Sequence, residues 1–576
     1  MSASSPPVTL RRDLGALERA RFDLVVIGGG ISGACLAHDA ALRGLSVALL
    51  ERRDFGGATS AASSKVLHSG IRYLQQLRLD KARESAVERC RFQRIAPYLT
   101  RYVPFVIPTY RSLLKGRTAL RAALLAHELV CAGQNALLPD VSKRVPRSRV
   151  CTKAETIAMA PILAEQAGLT GSCVVYEAHM HSSERMTLAF LKSAVRSGAV
   201  VANHLPVERL LASGGSAHGV VARDEVTGAP IEIRARVVVN AVGPWLSALN
   251  RAFGVKGLAR TIAGFSKGVH LVTRALTEDV ALVLPTLKPQ VHVLDRGGRH
   301  VFIIPWRQRS LIGTGTAPFG DAPGDPDVTG QDVADLLAEI NGALPGAGLT
   351  RADVQHAFAG LYPLTDRDVP PDVYQVTGSY QVVDHKAIGD LDGLVSVLGM
   401  KFTTARRVAE RATDLIVRKL ASRARPAATG TTPLVGGDID NLPAFLAAAI
   451  GRHPHLDART VQHLVEHYGT ETDAVLATQT PGLQPTAPLA GERECIEAEI
   501  AFAVIHEMAL HLDDVVLRRT GLGSIGHPGE ACLRRCALIM SGLLDWSPVR
   551  VQEEIDRTHA ALAIFDLSPR QPRDRA

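Results

Sequence analysis

Aromatic residues are scarce in this 576-residue chain, at 5%, which argues against the stacked-ring surface of a single-strand nucleic-acid binder. Long hydrophobic runs are missing too, since no stretch reaches the roughly 18 apolar residues that span a bilayer. Residues 1–21 carry Arg11 and Arg12 but no apolar core of a secretory signal, so a cytoplasmic setting is expected. The eight cysteines, at 35, 90, 131, 151, 173, 495, 532 and 536, never form C-x-x-C and read as reduced thiols. Cys532 and Cys536 stand at helical spacing, as buried neighbours do. His506, Glu507 and His511 miss the H-E-x-x-H spacing by one residue, so no metal is assigned. What is present is ordinary globular composition, 46% hydrophobic and 21% charged, and enough length for two or three domains. The net charge of +8 fits either a plain basic protein or one drawn to an anionic lipid surface.

The strongest local signal lies near the start. Residues 22–27 form an apolar run of strand length, followed at once by Gly28-Gly29-Gly30-Ile31-Ser32-Gly33. A helix pattern then runs over 34–42, Gly44 stops it, and residues 47–50 are a second strand ending in Glu51. Glycines 28, 30 and 33 meet the G-x-G-x-x-G needs of a tight turn, close backbone approach and close helix–strand packing. A pyrophosphate would sit on the helix N-terminus, where free N–H groups and the macrodipole favour an anion. Glu51 would accept ribose hydroxyls and repel a 2′-phosphate, so FAD or NAD fits better than NADP.

After Glu51 comes a small, hydroxyl-rich stretch with Thr59, Ser60, Ser64 and Lys65, then His68, Arg72 and Tyr73. Such donors suit phosphate and ribitol oxygens. Together with the glycine unit this stretch closely resembles the FAD-dependent glycerol-3-phosphate dehydrogenases, whose pattern is T-S-x-x-S-S-K-L-I-H-G-G-x-R-Y-L. The resemblance continues through residues 238–245, VVNAVGPW, which include Gly243, and through Lys267-Gly268-Val269-His270. Phe302-Ile303-Ile304-Pro305-Trp306 and the late segment 396–406, which holds Lys401, Phe402, Thr403 and Thr404, extend it. Residues 497–499 and 513–520, DDVVLRRT, resemble the family's C-terminal helical domain.

The resemblance implies an α/β fold, with a Rossmann-like FAD-binding domain, a mixed or antiparallel substrate-domain sheet and a C-terminal α-helical domain. Residues 1–19 would be an N-terminal extension and 20–425 the oxidoreductase region, with FAD-binding parts at about 20–100, 180–255 and 380–425. Residues 430–567 would be the helical domain and 568–576 a disordered tail. Runs at 269–272, 291–294 and 301–304 read as strands of the substrate sheet, and 497–514 and 531–544 as long helices. Gly28, Gly30, Ile31, Ser32, Gly33, Glu51, Thr59, Ser60, Ser64, Lys65, Gly243, Lys401, Phe402 and Thr403 are expected on the FAD. Arg72, Arg299 and Lys401 would anchor an anionic substrate, with Lys401 also steadying charge on the reduced ring. His68 and His270 are each either the proton acceptor or merely a hydrogen-bonding neighbour of flavin or backbone.

Departures cluster where the substrate phosphate would bind. The family's G-V-R-P is Gly360-Leu361-Tyr362-Pro363 here, so a neutral phenol replaces a fixed cation. A second family arginine falls on Gly378, and the G-T-T-D turn becomes Gly313-Thr314-Gly315-Thr316. Arg367, shortly after Tyr362, is the replacement nearest in sequence. Three readings follow: a dehydrogenase of glycerol 3-phosphate passing electrons to quinone, a flavin enzyme acting on another hydroxy or amino compound, or a flavoprotein without turnover. Residues 113–138 combine Lys115, Arg117 and Arg121 with leucines at helical spacing, which suits either an interfacial helix or a core-packed one. The resemblance favours peripheral membrane attachment through quinone and leaves oligomerisation open.

Overall fold

The computed structural model describes residues 6–74, 77–111, 117–255, 262, 264–286, 300–320, 323–324, 326–364, 380–491 and 494–562, the side chains of 72, 74 and 117–120 excepted. Arg299, Arg367, Gly378, the run at 291–294 and the tail at 568–576 lie outside these residues.

Two sheets organise the chain. In the first, the strand Arg21–Ile27 lies between Val47–Leu50 and Pro230–Asn240, parallel to both, with Val26 opposite Leu49 and Val239. Val200–Ala202 and Leu394–Leu398 extend the parallel set, and Gln381–Asp384 closes one edge antiparallel. The unbroken apolar run at 24–27 is explained by burial on both faces. Leu24 and Val26 pack under the helices Ile31–Leu42, Ser183–Arg196 and Ala405–Lys419. Val25 and Ile27 pack on the opposite face with Val220, Ala222 and Leu205. The helix Ile31–Leu42 starts earlier than the pattern at 34–42 suggests, because Gly30 serves as its N-cap.

The second sheet has nine strands among the described residues and is largely antiparallel. Val354–Leu364 is at one edge, followed by Gly264–Arg274, Arg309–Phe319 and His300–Trp306. The runs at 269–272 and 301–304 fall inside two of these strands. This is the α/β architecture expected, an FAD-type Rossmann half roofed by a mixed sheet, with helices after it.

From Leu442 to Leu562 the described residues are largely helical, with a core of Val515, Cys532, Leu533, Cys536, Met540 and Ile555. The helix expected over 497–514 stops at Glu507, where Met508 takes a left-handed conformation. The cause lies in Asp514, whose carboxylate accepts the N–H groups of Leu510 and His511 and draws that backbone off the helix. The chain resumes as a π-helical turn, Asp514–Arg519. His506 and His511 therefore go to different partners, Thr9 and Glu554. All eight cysteines are buried thiols outside any disulfide.

The chain's first described residues strap across this helical unit. Val8 N–H donates to Glu471, Leu10 N–H to the His506 carbonyl, and the Thr9 hydroxyl lies 2.8 Å from His506 Nδ1. Within residues 113–138 the helix is Arg117–Val130, with Leu124 and His127 buried and Leu125 and Leu129 exposed, so it serves the core with one face and solvent with another. Among the described residues no helix is long and apolar enough to cross a membrane.

Candidate functional site

A cavity of about 1120 Å³ opens along the carboxyl ends of the parallel strands. Its lining runs from Glu51 past Gly28, Gly30, Ile31 and Ser32, through Thr59 and Ser60, to Gly360 under the second sheet. Gly33 lets the helix close on the turn, since a Cβ there would lie 1.9 Å from the Gly28 carbonyl oxygen. Gly30 offers no side-chain cap, so the helix N-terminus faces the cavity, with Ser60 Oγ accepting the Ile31 N–H at 3.0 Å. Glu51 accepts the Gly29 N–H at 2.6 Å and the Arg53 N–H at 3.0 Å. Burial raises its pKa. Arg52 lies over the Trp245 ring at 4.5 Å, next to the turn that begins at Gly243. An open helix N-terminus, a placed carboxylate and an elongated cavity fit an adenine dinucleotide such as FAD.

The expected cofactor residues do not all face this space alike. Gly28, Gly30, Ile31, Ser32, Glu51, Thr59, Ser60, Lys65 and Gly243 line the cavity. Ser64 is half-buried beside Lys65. Lys65 Nζ is committed to the Ala61 carbonyl, Ser183 Oγ and both oxygens of Glu184, so it bolts the 59–65 segment to the helix Ser183–Arg196. Burial lowers its pKa against the pull of Glu184. Phe402 turns inward, packing on Phe92 at 6.1 Å. Thr403 Oγ1 accepts the His68 N–H at 3.2 Å, tying the late loop to the early one. Lys401 Nζ stands over the Tyr73 ring at 4.0 Å, beside the 3₁₀ turn Ile71–Leu74 that carries Arg72.

Across the roof, four residues from four strands stand directly opposite one another: Phe302, Gly313, His270 and Phe358. A Cβ at Gly313 would meet His270 Cδ2 at 2.4 Å, so only glycine lets the imidazole lie flat there. His270 stacks on Phe358 at 5.2 Å, and its Nε2 lies 3.2 Å from Thr314 Oγ1. His68 joins the row through Phe302, with ring centroids 5.9 Å apart. Burial, aided by Lys65, lowers the His270 pKa to about 3, so the imidazole is neutral and a weak proton acceptor. Tyr362 shares the His270-facing side of its strand and packs with Leu246, Leu398 and Met400.

Sequence reading passed over His356 and Phe358, which line the cavity from the same strand as Tyr362. The period-two series His356, Phe358, Gly360 and Tyr362 was the available signal. Tyr73 stood in a quoted motif without a role, and Asp54 gave no signal, because its partners lie far along the chain.

Comparison with known proteins follows the same outline. Residues 23–415 match the family described as FAD dependent oxidoreductase, and residues 427–551 match the C-terminal domain of alpha-glycerophosphate oxidase. A glycerol-3-phosphate dehydrogenase of Mycobacterium leprae (strain TN) is 33% identical over 562 residues, covering 96% of this chain and 90% of that protein. Another, from Synechocystis sp., is 29% identical over 570 residues, 95% of this chain and 97% of its own. The X-ray structure of the glycerol-3-phosphate dehydrogenase from Bacillus halodurans complexed with FAD superposes with a TM-score of 0.73 at 27% identity. That match covers 95% of this chain and 96% of that one.

Proposed function

Because this chain belongs to the FAD-dependent glycerol-3-phosphate dehydrogenase family, we propose that it oxidises sn-glycerol 3-phosphate to dihydroxyacetone phosphate and passes the electrons to quinone. Bound FAD supplies the acceptor for the hydride that leaves the substrate carbon. The observation that carries the reading is Lys401, an ammonium held on the Tyr73 ring where the early and late loops meet. In this reading Lys401, Arg72 and Arg299 bind the anionic end of the substrate, as the family resemblance implies. His68 takes the hydroxyl proton, a role for which His270, lowered to about 3, is poorly suited. His270, Phe302 and Phe358 shape the roof and exclude water.

Tyr362 favours a second reading. At this position the chain carries a phenol where the family pattern has an arginine, which suits a hydroxy or amino compound without a phosphate. Anaerobic addition of glycerol 3-phosphate separates the two. The first reading expects the flavin absorbance to bleach with glycerol 3-phosphate at micromolar to millimolar levels and not with glycerol. Bleaching only by unphosphorylated alcohols or amines gives the second.

A quinone acceptor in a membrane is supported by exposed leucines of the kind a lipid surface would take up. Leu77 and Leu129 are 82% and 77% exposed, with Leu79 and Leu125 beside them in chain order. Arg83 donates to the Val130 carbonyl at 2.8 Å, joining the helix Leu79–Ile95 to the helix Arg117–Val130. Sedimentation with anionic vesicles tests the attachment: Leu125→Gln together with Leu129→Gln should release the protein to the supernatant.

A further inference from the structure

Asp54 lies three residues beyond Glu51 and lines the same cavity, and its carboxylate is almost fully buried. Arg519 grips it with two nitrogens, Nη1 to Oδ2 and Nη2 to Oδ1, both at 2.7 Å. Arg518 Nε adds a contact to Oδ2 at 2.5 Å, and Asn203 Nδ2 one to Oδ1 at 3.0 Å. Both arginines belong to the π-helical turn Asp514–Arg519 of the C-terminal helical unit. Arg519 is itself anchored by the Glu507 carbonyl, and Arg518 by Asp514 at 2.7 Å. Asn203 also reaches the Met508 carbonyl, so both sides of the contact are fixed.

The segment thus gripped is the one that shapes the adenosine end of the cavity. Gly56 N–H donates to the Gly29 carbonyl at 3.0 Å, and Glu51 accepts the Gly29 N–H, so residues 51–56 and the glycine turn move as one piece. His204 N–H donates to the Arg53 carbonyl and Leu205 N–H to that of Glu51, which holds the outer side. Leu517 and Arg518 line the same cavity as Glu51, Gly28 and Gly30. The ligand atoms of Asp54, His204 and Asp514 come within 4.8 Å of one another, a grouping that could suggest a cation. Two guanidinium groups already occupy the Asp54 oxygens, so the positive charge a metal would bring is in place.

We propose that Asp54, Arg518 and Arg519 are positioning residues through which the C-terminal helical domain sets the affinity for the adenosine half of FAD. A charge pair satisfied on every side has one low-energy geometry, and that geometry fixes where Glu51 and Gly29 present their groups. The helical domain thereby becomes part of the cofactor site, whichever substrate is oxidised.

The test uses the full-length apoprotein, with FAD and ADP as probes. Asp54→Asn should raise the dissociation constant for both by about tenfold or more, read from quenching of FAD fluorescence and by competition with ADP. Turnover should return when FAD is added to saturation, as weakened cofactor binding requires. The double variant Asp54→Asn with Arg519→Gln removes the unpaired buried charge. It should regain the thermal midpoint of the apoprotein while FAD affinity stays low. If affinity recovers together with the midpoint, the contact is structural only and the proposal fails. It fails equally if FAD weakens while ADP does not. Arg518→Gln leaves the Asp54–Arg519 pair intact and decides the matter if the Asp54 variants do not fold. An unchanged dissociation constant for FAD in that variant overturns the proposal, and a rise of about threefold or more supports it.

Discussion

The floor and the roof of the cavity are built on opposite plans. On the floor, one stretch of some thirty residues supplies turn, helix N-terminus and carboxylate, and what it presents to the cavity is largely main chain. On the roof, four strands contribute one residue each to the row of Phe302, Gly313, His270 and Phe358, and the row carries no formal charge. A floor made of main chain can receive any adenine dinucleotide and leaves little room for variation. A roof made of side chains can change its substrate by single replacements, and Tyr362, at the position of an arginine in the family pattern, is the place to test for one.

The largest effect should come from the floor. Gly33→Val would place its Cβ 1.9 Å from the Gly28 carbonyl oxygen, and the purified protein should carry no flavin absorbance while keeping its circular dichroism. Retained flavin would mean that the helix can shift, and that the floor is less rigid than described. Next comes Lys401, which stands between the two plans. Lys401→Met should lower kcat/KM for an anionic substrate by about a hundredfold, with flavin content unchanged. On the roof, Tyr362→Arg should lower KM for glycerol 3-phosphate by about tenfold, because it restores a charge-assisted donor. A KM that is unchanged or higher would show that other cations already serve the phosphate. The smallest effect concerns acid. Burial is the first cause that holds His356 and His181 near 4 and His270 near 3 in the folded chain. The unfolded chain takes up those protons at about pH 6.5, so stability present above that value should fall as pH drops towards 4. His356→Asn should flatten the decline of the thermal midpoint between pH 6.5 and 4.5. An identical slope would assign the acid sensitivity elsewhere.

The same contrast explains what could be read before the structure was in view. Gly28, Gly30, Gly33 and Glu51 are close in sequence because one strand–turn–helix–strand unit builds the whole floor, so spacing alone located it. Lys65 was located but its chemistry was not, since Glu184, the partner that occupies it, arrives from a helix far downstream. The roof's strands showed themselves through alternation, yet their register, which alone brings His270 over Gly313, depends on pairings across many tens of residues. Asp54 was invisible for the same reason, its guanidinium partners standing near the chain's other end. The break at Met508 escaped notice because residues 497–514 keep an apolar pattern while Asp514 withdraws two N–H groups from it.

The strap formed by Val8, Thr9 and Leu10 has a bearing on how the molecule is made. Its partners, Glu471 and His506, come 463 residues after Val8 and 497 after Thr9. The first strand can pair with its neighbours early, but the leading residues must wait for the trailing helices before they find their places. Closure of the strap is therefore a late step that follows pairing of the first sheet, and a bulky group attached beside Val8 would meet the helical unit as it docks.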